Sequence, residues 1–184
     1  MTTIPVSEVL GLLDTFDAAG DERAAASARR TVDLLRQSPA PFSRTSYDLG
    51  HVTASALVLS SDGTQVLLVF HHRLQRWLQP GGHVESHDAS IVAAAQREVR
   101  EETGLAVLPT TPLRLVGVDV HEIPSGHGEP AHLHHDLMVR CSADGDPGNL
   151  TGENHATWCP VHDLSRYRVD QALHRGVARA LAGV

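Results

Sequence analysis

The chain is predicted to adopt an α+β fold, in which a mixed sheet carries flanking helices and follows a helical extension. After Val52, segments with strand-like and helix-like periodicity follow one another without a regular β-α-β repeat. This order favours an α+β sandwich over a doubly wound sheet. Before Val52, the apolar residues recur at helical spacing. With 184 residues, of which 41% are hydrophobic, the chain is long enough for one core and an extension.

Residues 1–45 form the predicted helical extension, and residues 46–184 form the main domain. An apolar helical stripe covers residues 4–17. Asp21 is expected to cap a second, alanine-rich helix that runs to Gln37 and ends at the linker SPAP. The extension carries no pattern of reactive side chains, so packing or homodimerisation is its expected role.

The main domain is predicted to contain strands, two helices and a glycine turn. The sequence SDGT is typical of a hairpin between the first two strands. The sequence QPGG is expected to turn before a helix over residues 89–103, which Gly104 closes. A final amphipathic helix contains Leu173, Val177 and Leu181. The predicted strand segments are residues 52–60, 65–72, 113–123, 133–141 and 156–161.

Composition argues against several classes of partner and site. The net charge of -7 disfavours nonspecific binding to nucleic acid. No apolar run approaches the roughly 20 residues of a membrane span, and the N-terminal sequence lacks the pattern of a signal peptide. The two cysteines form no CxxC pair, so neither a disulfide framework nor a cysteine-based zinc site is expected. A reducing cytoplasm is the expected location.

Three glutamates share one face of the predicted helix over residues 89–103. Glu98, Glu101 and Glu102 stand at positions i, i+3 and i+4, where like charges repel by about 0.2–0.5 kcal/mol per pair. A solvated surface tolerates this repulsion. A divalent cation such as Mg²⁺ offsets it, because Mg²⁺ binds carboxylate oxygens and is commonly shared with substrate phosphates. Arg97 is expected to pair with Glu101 and to orient it.

The run REVREETGL, from Arg97 to Leu105, resembles the signature box of the Nudix hydrolases, together with the preceding Pro80-Gly81-Gly82. The resemblance covers roughly residues 50 to 168. It implies an α/β/α sandwich and a hydrolase that uses Mg²⁺ or Mn²⁺ to promote attack by water on a diphosphate linkage. The usual substrates of that family are small nucleoside diphosphates linked to another group.

The resemblance also implies roles for individual residues. Glu98, Glu101 and Glu102 become metal ligands, and the carbonyl group of Gly81 becomes a further ligand. The general base in this family is a glutamate of the box or an acid from a later loop. Glu153 is the candidate for the later acid, with an exposed loop carboxylate as the alternative.

One interval departs from the family pattern, which has five residues between its glycine and a first acid and then seven before the arginine. The interval from Gly82 to Asp88 fits, but eight residues then precede Arg97. The acid is therefore either Asp88, displaced by one residue, or missing. Asp88 is also a suitable helix N-cap, and the sequence favours this interpretation.

Histidines and two residues before the glycines are further candidates. The chain has 13 histidines, and His132 and His134 face one side of a predicted strand, with His135 on the other. A zinc-type site with a nearby acid, a contact of His134 with substrate phosphate, and a polar strand face without a ligand all remain open. Arg73 is a candidate to contact phosphate. Trp77 is a candidate to stack on a base, although the sequence favours a place in the core.

Two other functions occur on the same fold. A diphosphate isomerase needs a cysteine near the glycines, and none lies between residues 81 and 88. A non-catalytic nucleotide-binding module is expected when box glutamates are lost, whereas all three are present here. The sequence therefore favours a hydrolase and leaves its substrate open.

Overall fold

The computed structural model describes residues 4–72, 74–108, 114–126, 128–148 and 155–182. The helices are α1 (Val6–Asp14), α2 (Glu22–Gln37), α3 (Ile91–Thr103) and α4 (Gln171–Ala182), with a 3-10 turn at Leu164–Tyr167. The strands are β1 (His51–Leu59), β2 (Gln65–His71), β3 (Arg76–Leu78), β4 (Gly81–His83), β5 (Leu115–Ile123), β6 (His132–Ser142) and β7 (His155–Pro160). Within these ranges, no helix is long and apolar enough to cross a lipid bilayer.

Strand β1 lies at the centre of a mixed sheet with the order β3-β2-β1-β6-β5. Strand β4 also pairs with β1, and β7 also pairs with β2. Strands β1 and β6 run parallel, with His51 opposite His134 at one end and Leu59 opposite Ser142 at the other. Every residue of β1 is buried, as expected for a strand that is covered on both faces.

Helices cover both faces of the sheet, which confirms the predicted α+β sandwich with flanking helices. One face, here called the α3 face, packs against α1, α2 and α3 and takes from β1 the residues Val52, Ala54, Ala56 and Val58. The opposite face, here called the α4 face, takes from β1 the residues Leu57 and Leu59. This division follows from the two-residue period of a strand.

The α4 face has an apolar half and a polar half. In the apolar half, Leu57 and Met138 pack with Leu173 and Val177 of α4. The other half lies toward the start of β1 and β6, and strand register places polar side chains of four strands on it. This polar half comprises His51, Thr53, Ser55, His83, Asp119, His121, His132, His134 and Asp136.

Gly81 and Gly82 do not form the predicted turn. They begin β4, where Gly81 pairs with Ser55, and neither glycine has a positive φ. A Cβ atom on Gly81 would lie 2.5 Å from Cβ of Ser55 and 2.9 Å from the carbonyl oxygen of Ala54. Glycine is needed here because β4 packs closely on β1, and not because the chain reverses its direction.

The helical extension packs against the sheet. The amide of Val120 donates a hydrogen bond to Oγ of Ser27 at 3.1 Å, and Oγ1 of Thr31 lies 3.0 Å from Nδ1 of His135. Both α1 and α2 also contribute to the core of the α3 face. The packing role expected of the extension is therefore visible, whereas homodimerisation stays a prediction.

Asp21 connects the start of α2 with α4. Its carboxylate accepts hydrogen bonds from the amides of Arg23 and Ala24, as predicted for a helix cap, and forms ion pairs with Arg175 and Arg179. Burial alone would raise the pKa of this carboxyl. The Ala24 amide and the two arginines outweigh burial, so the pKa is lowered.

We expect Asp21→Asn to lower the free energy of unfolding by roughly 1–3 kcal/mol at neutral pH, because asparagine keeps the cap but loses two largely buried ion pairs. A carboxyl with a lowered folded-state pKa stabilises the protein above its unfolded pKa of about 3.9, and this contribution is lost as the pH falls through the folded-state pKa. Urea denaturation at several pH values should therefore show the two proteins converging in acid. Asp17→Asn, an exposed change in the same loop, is the control, and a gap for Asp21→Asn that persists at low pH would contradict the prediction.

Candidate active site

Helix α3 is fixed at both ends by local signals. Ser90 caps it, since its Oγ accepts a hydrogen bond of 2.9 Å from the amide of Ala93, and the helix begins at residue 91 instead of the predicted 89. Gly104 ends it as predicted, with a left-handed φ of 72°. One face of α3 is buried through Ile91, Ala94, Ala95 and Val99.

The glutamates of α3 contact the glycines of β4. The amide of Gly81 donates a hydrogen bond of 3.1 Å to Oε2 of Glu102. A Cβ atom on Gly82 would lie only 2.6 Å from Oε1 of Glu98, so a glycine lets this carboxylate approach the strand. The side chain of Glu98 is 13% exposed and that of Glu101 is 54% exposed. The box therefore holds two carboxylates against β4 and a third at the surface.

Burial makes this group of carboxylates electrostatically costly. Burial raises the pKa of Glu102 to about 7, and the hydrogen bond from the Gly81 amide only partly offsets this effect. Burial also raises the pKa of Glu98, although Arg97 acts in the opposite direction. Neighbouring carboxylates raise both values further. Such a site gains stability when a cation joins it.

Arg97 organises the surrounding acids. Its Nη1 donates hydrogen bonds to Glu98 at 2.8 Å and to Glu101 at 2.9 Å, which includes the pairing predicted from the sequence. Its Nη2 donates to the carbonyl oxygen of His83 at 2.9 Å. The guanidinium group therefore links α3 to β4 and fixes the directions of two box carboxylates.

Asp88 pairs with Arg97 instead of capping the helix, so the capping interpretation is wrong. Its two oxygens accept hydrogen bonds of 3.1 Å from Nε and Nη2 of Arg97, and both residues are buried. Oδ2 of Asp88 also accepts a hydrogen bond of 2.8 Å from the Glu85 amide. The capping position belongs to Ser90, two residues later.

A family model of the NUDIX domain matches residues 50–181. The chain belongs to the Nudix hydrolase family. The sheet with helices on both faces agrees with the Nudix-type α/β/α sandwich that the resemblance implied. Among the curated proteins, no significant match was found.

Solved structures of Nudix proteins share this fold. A Nudix hydrolase from Nitrosomonas europaea is 24% identical, with a TM-score of 0.55 over 72% of this chain and 88% of that one. A Nudix-family hydrolase from Clostridium perfringens is 23% identical, with a TM-score of 0.54 over 73% and 98%. The NUDIX domain of Shewanella oneidensis NrtR, complexed with ADP ribose, is 16% identical, with a TM-score of 0.54 over 72% and 86%.

The loop between β4 and α3 positions Asp88 ahead of the interval that contains the extra residue of this Nudix box. The amide of Asp88 donates a hydrogen bond of 3.1 Å to the carbonyl oxygen of Glu85, and the Asp88 carboxylate accepts one from the Glu85 amide. This small turn presents the Asp88 carboxylate to Arg97, and the interval with the extra residue, Ala89 to Gln96, follows it. Glu98 and Glu102 keep their helical spacing, and an acid is still available to Arg97.

Two of the predicted site residues, Arg73 and Glu153, lie outside the described residues. Trp77 lies on β3, where its ring packs against Phe70 and Tyr167 with centroid distances of 5.3 and 5.5 Å. It also borders the core of the α4 face, in agreement with the alternative placement in the core. His134 lies in the polar half of that face, and its proposed contact with substrate stays a prediction.

The polar half of the α4 face contains a buried carboxylate. Asp136 accepts hydrogen bonds from Oγ of Ser55 at 2.6 Å, from Oγ1 of Thr53 at 3.1 Å and from Nε2 of Gln79 at 3.5 Å. Burial raises the pKa of Asp136 despite these donors. On the neighbouring strand, Asp119 and His121 form an ion pair at 3.1 Å.

Sequence reasoning did not single out His51, Asp119 or His121. A usable signal was present, because polar residues alternate with apolar ones at the start of β1 and in the second half of β5. Alternation identifies a polar strand face. It does not identify the strands that join it, because their pairing depends on the tertiary fold.

Proposed function

We propose that this Nudix hydrolase is a metal-dependent enzyme that cleaves a diphosphate linkage in a small nucleoside diphosphate derivative, by attack of water on phosphorus. The observation that carries the proposal is the pair of carboxylates, Glu98 and Glu102, held against the glycines of β4. Burying two like charges is unfavourable by itself, and it becomes useful when a cation and a polyphosphate occupy the site.

The residues present fit a hard divalent cation. The candidate donors are all oxygens, from Glu98, Glu101, Glu102 and the carbonyl group of Gly81, and this set suits Mg²⁺ or Mn²⁺ better than softer metals. When bound, such an ion would neutralise phosphate charge and lower the pKa of water. Arg97 would keep Glu98 and Glu101 oriented toward the ion. A carboxylate from the box, or Glu153, would accept the proton of the attacking water.

The proposed partner is a small molecule and not a nucleic acid or a membrane surface, and the net charge of -7 supports this choice. The complex of the NrtR domain with ADP ribose suggests which chemical class to test first. We propose that Arg73 contacts its phosphates and that the exposed part of the half-buried Trp77 ring contacts its base.

A panel of nucleoside diphosphate derivatives, including ADP-ribose, should be incubated with the enzyme and Mg²⁺ or Mn²⁺. Products can be separated by ion-exchange chromatography. We expect cleavage of at least one compound to depend on the metal and to stop when EDTA is added. If the whole panel stays intact at high enzyme concentration while a member still binds, the chain is a non-catalytic nucleotide-binding module.

We expect Gly82→Ala to reduce hydrolysis by roughly 10–100-fold with little loss of stability. The new methyl group would displace the Glu98 carboxylate, whose closest atom would be 2.6 Å away, and displacement of a reacting group by about 1 Å can cost 100-fold in rate. Initial rates and thermal denaturation should be measured together. Gly126→Ala is the matched control, since nothing lies within 4 Å of the added Cβ, and equal rates for the two variants would contradict the prediction.

A further inference from the structure

Four histidines converge in the polar half of the α4 face, away from the glutamate box. The ring centroid of His51 on β1 lies 5.1 Å from that of His132 and 4.8 Å from that of His134, both on β6. His83 on β4 lies 5.1 Å from both His51 and His134. The proposed hydrolysis does not require a cluster of imidazoles, so this cluster has a function of its own or none.

Hydrogen bonds fix the proton positions on two of these rings. Nδ1 of His132 lies 2.8 Å from the carbonyl oxygen of Pro130, and Nδ1 of His51 lies 3.3 Å from that of Ser46. A carbonyl oxygen can only accept, so each Nδ1 must carry the proton. In the neutral rings, Nε2 then carries no proton, and its lone pair is free to coordinate a metal ion. Protein ligands to metals are commonly oriented in this way, by a hydrogen bond from the other ring nitrogen to a carbonyl group.

The Nε2 atom of His51 has no hydrogen-bond partner among the described residues, although the side chain is fully buried. A buried polar atom without a partner is unfavourable unless something else satisfies it. A metal ion bound at this nitrogen would satisfy it.

The distances between ring nitrogens match a metal site. Nε2 of His132 and Nε2 of His134 are 3.3 Å apart, and in the metal-free protein they share a hydrogen bond that His134 donates, because Nδ1 of His132 carries the proton. A metal ion would replace the proton on Nε2 of His134. Two imidazole nitrogens bound at about 2.1 Å to a tetrahedral zinc ion would be separated by roughly 3.4 Å. One ring nitrogen from each of His51, His132 and His134 lies within 4.8 Å of the others. Small rotations of these side chains would bring all three nitrogens to one ion.

We propose that His51, His132 and His134 form a second metal site, which binds a transition metal of the zinc type through ring nitrogens. His83 is the nearest candidate for a fourth ligand. Imidazole nitrogens favour Zn²⁺ and related ions over Mg²⁺, whereas the oxygen donors of the box have the opposite preference. The two sites lie on opposite faces of β4 and differ in their donor atoms. They can therefore be loaded independently.

The test is a titration of metal-free protein with Zn²⁺ by isothermal calorimetry and with Co²⁺ by visible absorption. We expect one zinc ion per chain and the intense visible bands of four-coordinate Co²⁺. His134→Ala removes a partly buried ligand and should weaken zinc binding by at least roughly 100-fold. His162→Ala changes an exposed histidine outside the cluster and should leave the affinity unchanged.

A double variant, Glu98→Gln with Glu102→Gln, separates this proposal from the proposed hydrolase site. Zinc binding should survive in the double variant. If zinc affinity falls in the glutamate double variant but not in His134→Ala, the ion binds at the box and the proposal is wrong. Unchanged zinc binding in His134→Ala would also overturn the proposal. So would a wild-type Co²⁺ spectrum with only the weak bands of six-coordinate Co²⁺. In either case the cluster is a polar strand face or a contact for phosphate. Thermal denaturation with and without Zn²⁺ provides a second measurement in case a variant is too unstable for titration. Zn²⁺ should raise the Tm of the wild type and not that of His134→Ala.

Discussion

Glu102→Gln is expected to lower the kcat for diphosphate hydrolysis by roughly 10²–10⁴-fold. The glutamine keeps nearly the same shape, and its carbonyl oxygen can still accept the hydrogen bond from the Gly81 amide. It loses the negative charge that a cation would require. Steady-state rates on the best substrate of the panel, at saturating metal, would measure the effect.

The fold of the Glu102→Gln variant should be intact, which makes the interpretation specific. Burial raises the pKa of Glu102 to about 7, so removing its charge relieves an unfavourable interaction in the metal-free protein. We therefore expect the metal-free variant to be at least as stable as the wild type. Glu122→Gln removes a charge from an exposed position on β5 and should retain full activity. A fully active Glu102→Gln enzyme would remove Glu102 from the proposed site.

Asp88→Ala is expected to lower the free energy of unfolding by about 3 kcal/mol or more. The change leaves the buried guanidinium of Arg97 without two hydrogen bonds and the Glu85 amide without its acceptor. Breaking a buried ion pair typically costs about 3–5 kcal/mol. We expect a value near the lower end, because Glu98 and Glu101 still contact Arg97. Urea denaturation with and without added salt would measure it, and the buried pair should respond little to salt.

Ser90→Ala is the matched comparison, because it removes the actual helix cap. We expect a cost of about 1 kcal/mol from that change, clearly less than from Asp88→Ala. Asp88→Ala should also reduce hydrolysis, since an Arg97 with fewer contacts orients Glu98 less well. If the two variants lose the same free energy of unfolding, the buried pair of Asp88 with Arg97 contributes no more to stability than a helix cap does.

Local signals in the sequence predict α3 and five strands, namely β1, β2, β5, β6 and β7. They do not predict β3 and β4, which lie where a turn was expected. Two apolar runs joined by the hairpin signal SDGT mark β1 and β2, and Gly104 with the apolar stripe marks the end and the buried face of α3. Asp88 was misassigned because aspartate and serine are both good caps, and the two candidates stand only two residues apart. Its true partner, Arg97, lies nine residues away on another element.

The glycines were misassigned for a related reason. Glycine serves both where φ is positive and where two backbones come close, and a single sequence does not distinguish the two needs. The polar half of the α4 face depends on the parallel pairing of β1 with β6, which joins residues 83 positions apart in the case of Thr53 and Asp136. No local pattern contains that information.

The alternation along β1 also links correct folding to chemistry. Its odd-numbered residues from 51 to 55 supply the polar half, and its even-numbered residues supply the core under α3. A shift of one residue in the pairing would exchange the two sets. Histidine and hydroxyl groups would then enter the apolar core under α3, while valine and alanine would line the proposed second metal site. A misaligned chain would thus lose both its core under α3 and the polar half of the α4 face.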